Sequence, residues 1–275
     1  MKINPITSPD NQLLKKIRAL GQRSGRQRSG LFLLEGAKLV NEAFAKDLPV
    51  RDVLVSQTFL KSGLGACQGT NITAVSVVDD KLFKEVSGTE TPEGILAVGE
   101  IPRHNLNEIV SGKAPLVLLA VAIQDPGNLG TMIRTAHASG ASGVVLSKGC
   151  VDPYNAKVVR AAAGALFSLP LVADLSAEEA IKSLKDKGIK VVACDPAAPD
   201  PYWGLDMTGP LAIAVGNEGQ GFSEAVLALA DSKTQVPMQD GCESLNAAIT
   251  AAIVLFSARQ QRSTELNRKS AVECG

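Results

Sequence analysis

The chain has few residues of the kinds that hold metals or disulfides. Its 275 residues include two histidines and five cysteines, and no two cysteines form a Cys-x-x-Cys pair. Zinc sites use closely spaced Cys and His side chains, and secreted disulfide frameworks use an even number of cysteines. A zinc enzyme and a secreted disulfide scaffold are therefore disfavoured, and no metal is expected. Free thiols favour a reducing, cytoplasmic location.

Aromatic residues and long apolar runs are also scarce. Aromatics make up 4% of the chain, and the longest stretch without charge, residues 244–258, is shorter than the roughly 20 residues that span a bilayer. The first residues, MKINPITSPDNQ, lack the apolar core of a signal peptide. No membrane association is expected.

Net charge is absent, but positive charge is concentrated near the start of the chain. The 28 Lys+Arg balance 28 Asp+Glu overall, whereas residues 1–35 are basic. Arg23, Arg26 and Arg28 lie in a Gly/Ser-bearing stretch that is expected to be mobile. Because Lys and Arg bind polyanions by releasing counterions, this stretch is interpreted as an RNA-binding arm that contacts phosphates. The alternative is a solvated helix followed by a basic loop.

Hydrophobic patterning predicts an α/β chain with two domains. Residues 101–115 are polar, carry a proline at each end and predict a linker. Before it, residues 1–100 predict a leading helix at 12–20 and a small α/β domain. After it, residues 116–262 predict a second domain, followed by a tail at 263–275. The apolar runs before the linker are 31–34, 50–55, 72–78 and 95–98, with a helical pattern at 36–46.

The second domain is predicted to contain a parallel sheet. Its apolar runs are continuous, as expected for strands buried on both faces, and helical patterns separate them. A last helix at 245–259 places Leu245, Ile249, Ile253 and Phe256 on one stripe. The runs are 116–123, 144–146, 169–172, 189–194 and 211–215, and the helical patterns are 129–139, 156–166, 177–187 and 223–230.

Common nucleotide and hydrolase signatures are absent from the sequence. There is no GxxxxGK[ST], no GxGxxG and no GxSxG. The absence of these signatures argues against a P-loop enzyme, an α/β dehydrogenase and an α/β-hydrolase.

Three other segments follow predicted strands, at the edge where open parallel sheets bind ligands. The first, residues 124–136, carries Asn128 and Arg134 on a helix with a core stripe and a neighbouring face of small residues. Arg134 stands alone on that small-residue face, where a ligand or another backbone could approach closely. The alternatives are that Asn128 is only an N-cap and that Arg134 is a surface ion-pair partner.

The second segment, residues 211–224, runs from a strand into a turn with three glycines, which could direct backbone amides at a ligand. Glu218 in this turn is either a hydrogen-bonding group of the site or a solvated residue. The third segment, residues 236–252, contains Ser244, which could cap the last helix, and Asn246 in its first turn. Alanines after Asn246 would let another element pack closely.

In this order and spacing, the three segments resemble the signature motifs of the SpoU (TrmH-type) RNA 2'-O-methyltransferases of the SPOUT superfamily. Asn128-x-Gly130-x3-Arg134-Thr-Ala matches the first motif, Gly216-Asn-Glu218-Gly the second and Ser244-Leu-Asn246 the third. The block before the linker resembles the family's L30e-like substrate-binding domain, and residues 32–40 are the matching segment. One departure is Ala247-Ala248, where many members have Val-Ser.

The resemblance implies an S-adenosyl-L-methionine-dependent methyltransferase that forms a homodimer and has a deep trefoil knot in the C-terminal domain. It implies a cofactor site at Gly216, Val236, Met238 and Leu245. Arg134 is then the proposed base, and Asn128, Glu218, Ser244 and Asn246 position it and the ribose.

Two roles are open for Arg134, because arginine, with a pKa above 12, is a poor base. It either acts as a base after desolvation or orients ribose and phosphate while water takes the proton. Ribosomal RNA is the expected substrate and transfer RNA the alternative, while a non-catalytic RNA-binding paralogue is disfavoured because the motif arginine and the glycine turn are intact.

Overall fold

A computed structural model describes residues 2–62, 73–242 and 244–273, and divides the chain into two compact units. The first unit comprises Met1–Pro102 and Asp152–Phe167, and the second comprises Arg103–Val151 and Ser168–Gly275. The start of the predicted run at 72–78, Cys67 and Cys274 lie outside the described residues. Along the described part of the chain, no helix is both long and apolar enough to cross a membrane.

The first unit is built on a five-stranded mixed sheet. The strand order is β1-β4-β3-β5-β2, with β1, β4 and β3 parallel and β5 antiparallel to both β3 and β2. The elements are β1 (Lys2–Pro5), α1 (Gln12–Leu20), α2 (Arg23–Ser29), β2 (Leu31–Glu35), α3 (Ala37–Ala45), β3 (Val50–Ser56), α4 (Gln57–Lys61), β4 (Ala74–Val78), α5 (Asp80–Val86) and β5 (Ile95–Glu100).

The stretch expected to be a mobile basic arm is a helix, α2. It ends at Gly30, which adopts the left-handed conformation with φ 68°. Arg26 is buried and 4% exposed. Its Nε donates to Asp152 Oδ2 at 2.7 Å, its Nη2 makes a second bond to that oxygen, and its Nη1 donates to the Leu20 carbonyl at 2.7 Å. The prediction that Arg26 contacts RNA is therefore wrong, since its guanidinium is enclosed by protein acceptors. Arg23 and Arg28 are exposed.

Residues 152–167 belong to the first unit, although they lie within the predicted second domain. Tyr154 and Phe167 place their rings 5.1 and 6.4 Å from the ring of Phe32. Arg160 Nη1 lies 3.7 Å from Glu35 Oε2. These contacts join residues distant in sequence, so local periodicity predicts the helix but not the unit to which it belongs.

The second unit contains a six-stranded sheet in which every pair of neighbours is parallel, which confirms the prediction. Its order is β11-β9-β10-β6-β7-β8. Part of the predicted linker forms a short helix whose Ile109 is buried in the core of this unit. The elements, together with α8 of the first unit, are α6 (Leu106–Ile109), β6 (Leu116–Ala120), α7 (Pro126–Ser139), β7 (Gly143–Ser147), α8 (Ala156–Ala162), β8 (Leu171–Leu175), α9 (Ala177–Lys185), β9 (Lys190–Cys194), β10 (Leu211–Val215), α10 (Glu224–Leu229), β11 (Ser232–Thr234) and α11 (Ala247–Glu273).

The last helix, α11, leaves its stripe of large apolar residues exposed. Leu245, Ile249 and Phe256 are 38%, 50% and 47% exposed. The buried residues are instead Ala247, Ala248, Ala251, Val254, Leu255 and Ala258. Alanines let the backbones of α11 and α7, which pack against each other, approach closely.

Candidate active site

A cavity of about 320 Å³ lies at the carboxyl ends of β9, β10 and β11, which is where parallel sheets bind ligands. All four residues predicted to bind the cofactor line it: Gly216, Val236, Met238 and Leu245. Glu218 and Ser244 also line it. The structure therefore brings residues of the second and third motifs to one cavity.

The cavity wall includes an uncharged thiol and is held in shape by side-chain hydrogen bonds to backbone carbonyls. Burial raises the pKa of the Cys194 thiol to about 12, so this thiol stays uncharged at neutral pH. Thr234 Oγ1 donates to the Asp200 carbonyl at 3.0 Å, and Gln235 Nε2 donates to the Ala198 carbonyl at 2.7 Å. Cys194, Thr234 and Gln235 all line the cavity, so these bonds fix the shape of its wall.

The glycine-rich turn after β10 is closed on itself rather than open to a ligand. The amides of Gly219 and Gln220 donate to Asn217 Oδ1 at 2.9 and 3.1 Å, and the amide of Gly221 donates to the Asn217 carbonyl at 2.9 Å. The expectation that the glycines direct these amides at a ligand is therefore wrong for Gly219 and Gly221. A Cβ on Gly216 would lie 2.9 Å from the Gly221 carbonyl oxygen, so glycine is required there by the turn itself.

A chain of side-chain hydrogen bonds joins all three motifs. Asn128 Nδ2 donates to Glu218 Oε1 at 2.5 Å, and Asn246 Nδ2 donates to Asn128 Oδ1 at 2.9 Å. Asn128 is not the N-cap of α7, because Asp125 Oδ1 accepts from the Asn128 amide at 2.7 Å and caps the helix. The Asn128 side chain is thereby left to bridge Glu218 and Asn246.

Asn246, rather than Ser244, caps α11. Its Oδ1 accepts from the amides of Ala248 and Ile249 at 2.8 and 3.3 Å, while its Nδ2 faces Asn128. An asparagine can do both because one amide carries an acceptor and donors. The expectation that Ser244 caps this helix is wrong, because the helix begins three residues later, at Ala247.

Arg134 is exposed on α7, two turns after the start of the helix. Within the described ranges it makes no hydrogen bond or ion pair, and it is not among the residues that line the cavity. The structure therefore leaves its guanidinium free for an external group, and the hydrogen-bonded chain of Asn128, Glu218 and Asn246 does not include it. The alternative of a surface ion pair is wrong for the described part of the protein.

Sequence reasoning assigned no role to Asn217, although this residue is part of the second motif. Its Nδ2 donates to the Ala122 carbonyl at 2.9 Å, just beyond β6. Ala122 has a left-handed φ of 54°, a conformation that costs a non-glycine residue about 1–2 kcal/mol. The sequence did offer a signal for this residue, namely an asparagine inside a glycine-rich turn that follows a strand. Asn side chains in such turns commonly accept hydrogen bonds from nearby backbone amides.

Comparisons with known proteins agree with this architecture. A family profile described as SpoU rRNA Methylase family matches residues 115–256, and one described as MRM3-like substrate binding domain matches residues 11–97. The chain is 38% identical over 255 residues to the 23S rRNA (guanosine(2553)-2'-O)-methyltransferase RlmP of Bacillus subtilis, covering 92% of this chain and 98% of that protein.

Two further similarities concern Streptomyces viridochromogenes. The chain is 31% identical to its 23S rRNA (uridine(2479)-2'-O)-methyltransferase, with 94% of this chain and 92% of that protein covered. The crystal structure of its SpoU methyltransferase AviRb in complex with AdoMet superposes with a TM-score of 0.84 at 31% identity, covering 92% of this chain and 98% of that one.

The fold and the three joined motifs therefore define a SPOUT methyltransferase with a separate substrate-binding domain. The family profile covers more than half of the chain, and the B. subtilis relative is similar over nearly its whole length. The chain belongs to the SpoU rRNA methylase family.

Proposed function

We propose that this protein transfers a methyl group from S-adenosyl-L-methionine to a ribose 2'-hydroxyl of ribosomal RNA. The observation that carries the proposal is the position of Glu218, which lines the cavity and accepts a hydrogen bond from Asn128, itself bonded to Asn246. The wall of the cavity thus continues into the polar groups that would hold a ribose.

The residues of the cavity fit the cofactor. Val236, Met238 and Leu245 provide apolar contacts for an adenine ring, and Gly216 keeps one wall free of side chain. When bound, the cofactor supplies a methyl group on a positively charged sulfonium, which needs no metal for activation. The neutral Cys194 thiol does not oppose that positive charge.

The protein's own contribution is to align the ribose and to assist loss of the hydroxyl proton. In the proposed arrangement, Asn128 and Asn246 hydrogen-bond the ribose, and Arg134 directs the hydroxyl and its neighbouring phosphate. Guanidinium suits this task because its planar fork matches phosphate oxygens. Ser244 is proposed to contribute its hydroxyl from the cavity wall.

A homodimer is part of the proposal. Ile249 and Phe256 expose about half of their surface on α11, and Tyr202 and Ile253 line a surface depression together with Phe256. Large apolar side chains exposed side by side along a helix are typical of an interface. A second copy of the chain covering α11 would bury this stripe, which the single chain leaves in water.

The trefoil knot and the cytoplasmic location predicted from sequence also remain proposals.

The large-subunit rRNA is the proposed substrate within ribosomal RNA. Two of the relatives described above are named for 23S rRNA but modify different nucleosides, a guanosine and a uridine. The modified nucleotide therefore does not transfer from relatives to this chain.

The proposal is tested with the purified protein and labelled S-adenosyl-L-methionine. Large-subunit rRNA, small-subunit rRNA and tRNA are isolated from cells that lack this protein and offered separately. We expect label in large-subunit rRNA at one ribose 2'-oxygen, and the same site should lack methylation in those cells but not in the parent. Label found only in tRNA would show that tRNA, rather than ribosomal RNA, is the substrate. Label in none of the RNAs would overturn the proposed methyltransferase activity.

RNA affinity is expected to depend on the exposed arginines of α2. Changing Arg23 and Arg28 to Gln removes up to two phosphate contacts and should flatten the slope of log affinity against log salt by up to about 1.4. Affinity for the cofactor should not change. Arg26 is left intact because it holds Asp152.

The matched control changes Lys15 and Lys16 on α1 to Gln. These side chains lie on α1, outside the α2 stretch proposed to contact RNA, so the same loss of charge should alter the salt slope less. Equal slopes for wild type and the Arg23/Arg28 variant would exclude these residues from RNA binding.

A further inference from the structure

Asn217 uses both acceptor directions of its side chain and one of its two donors inside the protein. Its Oδ1 accepts two amides of its own turn, from Gly219 and Gln220, and its Nδ2 donates to the Ala122 carbonyl at 2.9 Å. Asn217 lines the cofactor cavity and also a second cavity at the ends of β6 and β7. It therefore lies in the wall that separates the two cavities.

The partner of Asn217 is itself held tightly. Ala122 donates its amide to Ser147 Oγ at 2.9 Å, and Ser147 Oγ donates to the Lys148 carbonyl at 2.9 Å. Ser147 is buried and Ala122 has the left-handed φ of 54°. The bonds on both sides of Ala122 maintain this conformation at the point where the chain leaves β6 for α7.

Asn217 and Glu218 are adjacent in the turn after β10, and both bond to the segment that runs from the end of β6 into α7. Asn217 binds the start of the β6–α7 loop, at Ala122, and Glu218 binds Asn128 in the first turn of α7. One attachment would let the turn pivot about a single bond, whereas two attachments define its orientation. The direction of the Glu218 carboxylate, and through it that of Asn128 and Asn246, depends on the Asn217 amide.

We propose that Asn217 is a positioning residue for methyl transfer, which sets the geometry of Glu218 and Asn128 through its bond to Ala122. This inference rests on the proposed function and extends it to a residue whose side chain is hydrogen-bonded within the protein. The role requires an amide, because Oδ1 must accept and Nδ2 must donate at the same time.

The substitution Asn217→Asp tests the donor alone. The carboxylate keeps the acceptor for Gly219 and Gln220 but repels the Ala122 carbonyl, whereas the protonated acid can donate to that carbonyl. A displacement of about 1 Å in aligned groups can cost about 10²-fold in rate. We expect kcat to fall by about that factor near pH 8, with much smaller changes in KM for RNA and in cofactor affinity.

The readout that separates positioning from a general structural role is the pH dependence. The ratio of Asn217→Asp activity to wild-type activity should rise as the pH falls from about 8 to about 5.5, because protonation restores a donor to the Ala122 carbonyl. The other titratable groups lining these two cavities, in the described chain, are Cys194, Asp195, Glu218, Lys148 and Glu178. They are present in both proteins, and only Glu218, the next residue in the chain, gains an adjacent new charge in the variant.

The control is Asn155→Asp at the N-cap of α8, where Asn155 Oδ1 only accepts, from the amide of Lys157 at 2.9 Å. Aspartate accepts equally well there, so activity and its pH profile should match wild type. Thermal melting of all variants is measured together with cofactor binding by calorimetry.

Wild-type-like kcat in Asn217→Asp would overturn the positioning role while leaving the proposed function intact. A loss of kcat with an activity ratio that does not vary with pH would also overturn it, since the donor would then not be the cause. Absence of methyl transfer by wild type, in the same assay, would overturn the proposed function and this inference with it.

Discussion

Arg134→Ala is expected to lower the rate of methyl transfer by about 10²–10⁴-fold, the range for a group that moves or directs a proton. Affinity for the cofactor should stay within a few-fold, because Arg134 is exposed on α7 and does not line the cavity. Arg134→Lys should not restore the rate, since a single ammonium cannot replace the planar guanidinium fork. Single-turnover kinetics with substrate RNA and calorimetry with the cofactor measure the two effects separately.

The charge-matched control is Arg103→Ala, another exposed arginine of the second unit to which no role is assigned. It should leave the single-turnover rate near that of wild type. If Arg134→Ala loses cofactor binding together with turnover, Arg134 is a cofactor-binding residue and its assignment to the ribose is wrong.

Gly216→Val is expected to weaken cofactor binding strongly. A Cβ at this position would lie 2.9 Å from the Gly221 carbonyl oxygen and 3.0 Å from the Gly221 carbonyl carbon, distances at which the backbone of the turn must move. Overpacking of this kind costs about 1–3 kcal/mol, which corresponds to about 5–150-fold in affinity when the displaced backbone forms the binding site. Calorimetric titration with S-adenosyl-L-methionine measures the loss.

Gly204→Val is the size-matched control, because a Cβ on Gly204 meets nothing within 4 Å and the residue lies outside the cavity. Its cofactor affinity should equal that of wild type. Thermal melting of Gly216→Val must show a folded protein for the comparison to count. A folded Gly216→Val protein that binds the cofactor with unchanged affinity would place the cofactor in a different part of the molecule.

Local patterns predicted the individual elements well. The helix at 12–20 and the strand at 211–215 have the predicted bounds, because an amphipathic helix and a fully buried strand are each encoded by side chains near in sequence. The short strands β1 and β11 were not predicted, since three or four residues carry too little periodicity to recognise.

The site was partly predictable for a topological reason. Segments that follow parallel strands meet at one edge of the sheet, so Glu218 and Asn128 could be expected to lie close together. Sequence alone did not show that Asn128 bonds both Glu218 and Asn246, that Asp125 caps α7 in its place, or that Asn217 holds the turn. Several polar groups compete for each of these bonds, and the backbone geometry selects among them.

The sequence by itself determined the class of fold, the family and the three motifs, because these depend on residue type and spacing. Tertiary structure alone decided which face of α11 is buried, and it moved residues 152–167 into the first unit. It also showed that Arg26, a candidate phosphate ligand in the sequence, is buried and forms an ion pair with Asp152. The physical reason is the same in each case: burial and ion pairing depend on which distant segment packs against a residue, and no local pattern of side chains specifies that neighbour.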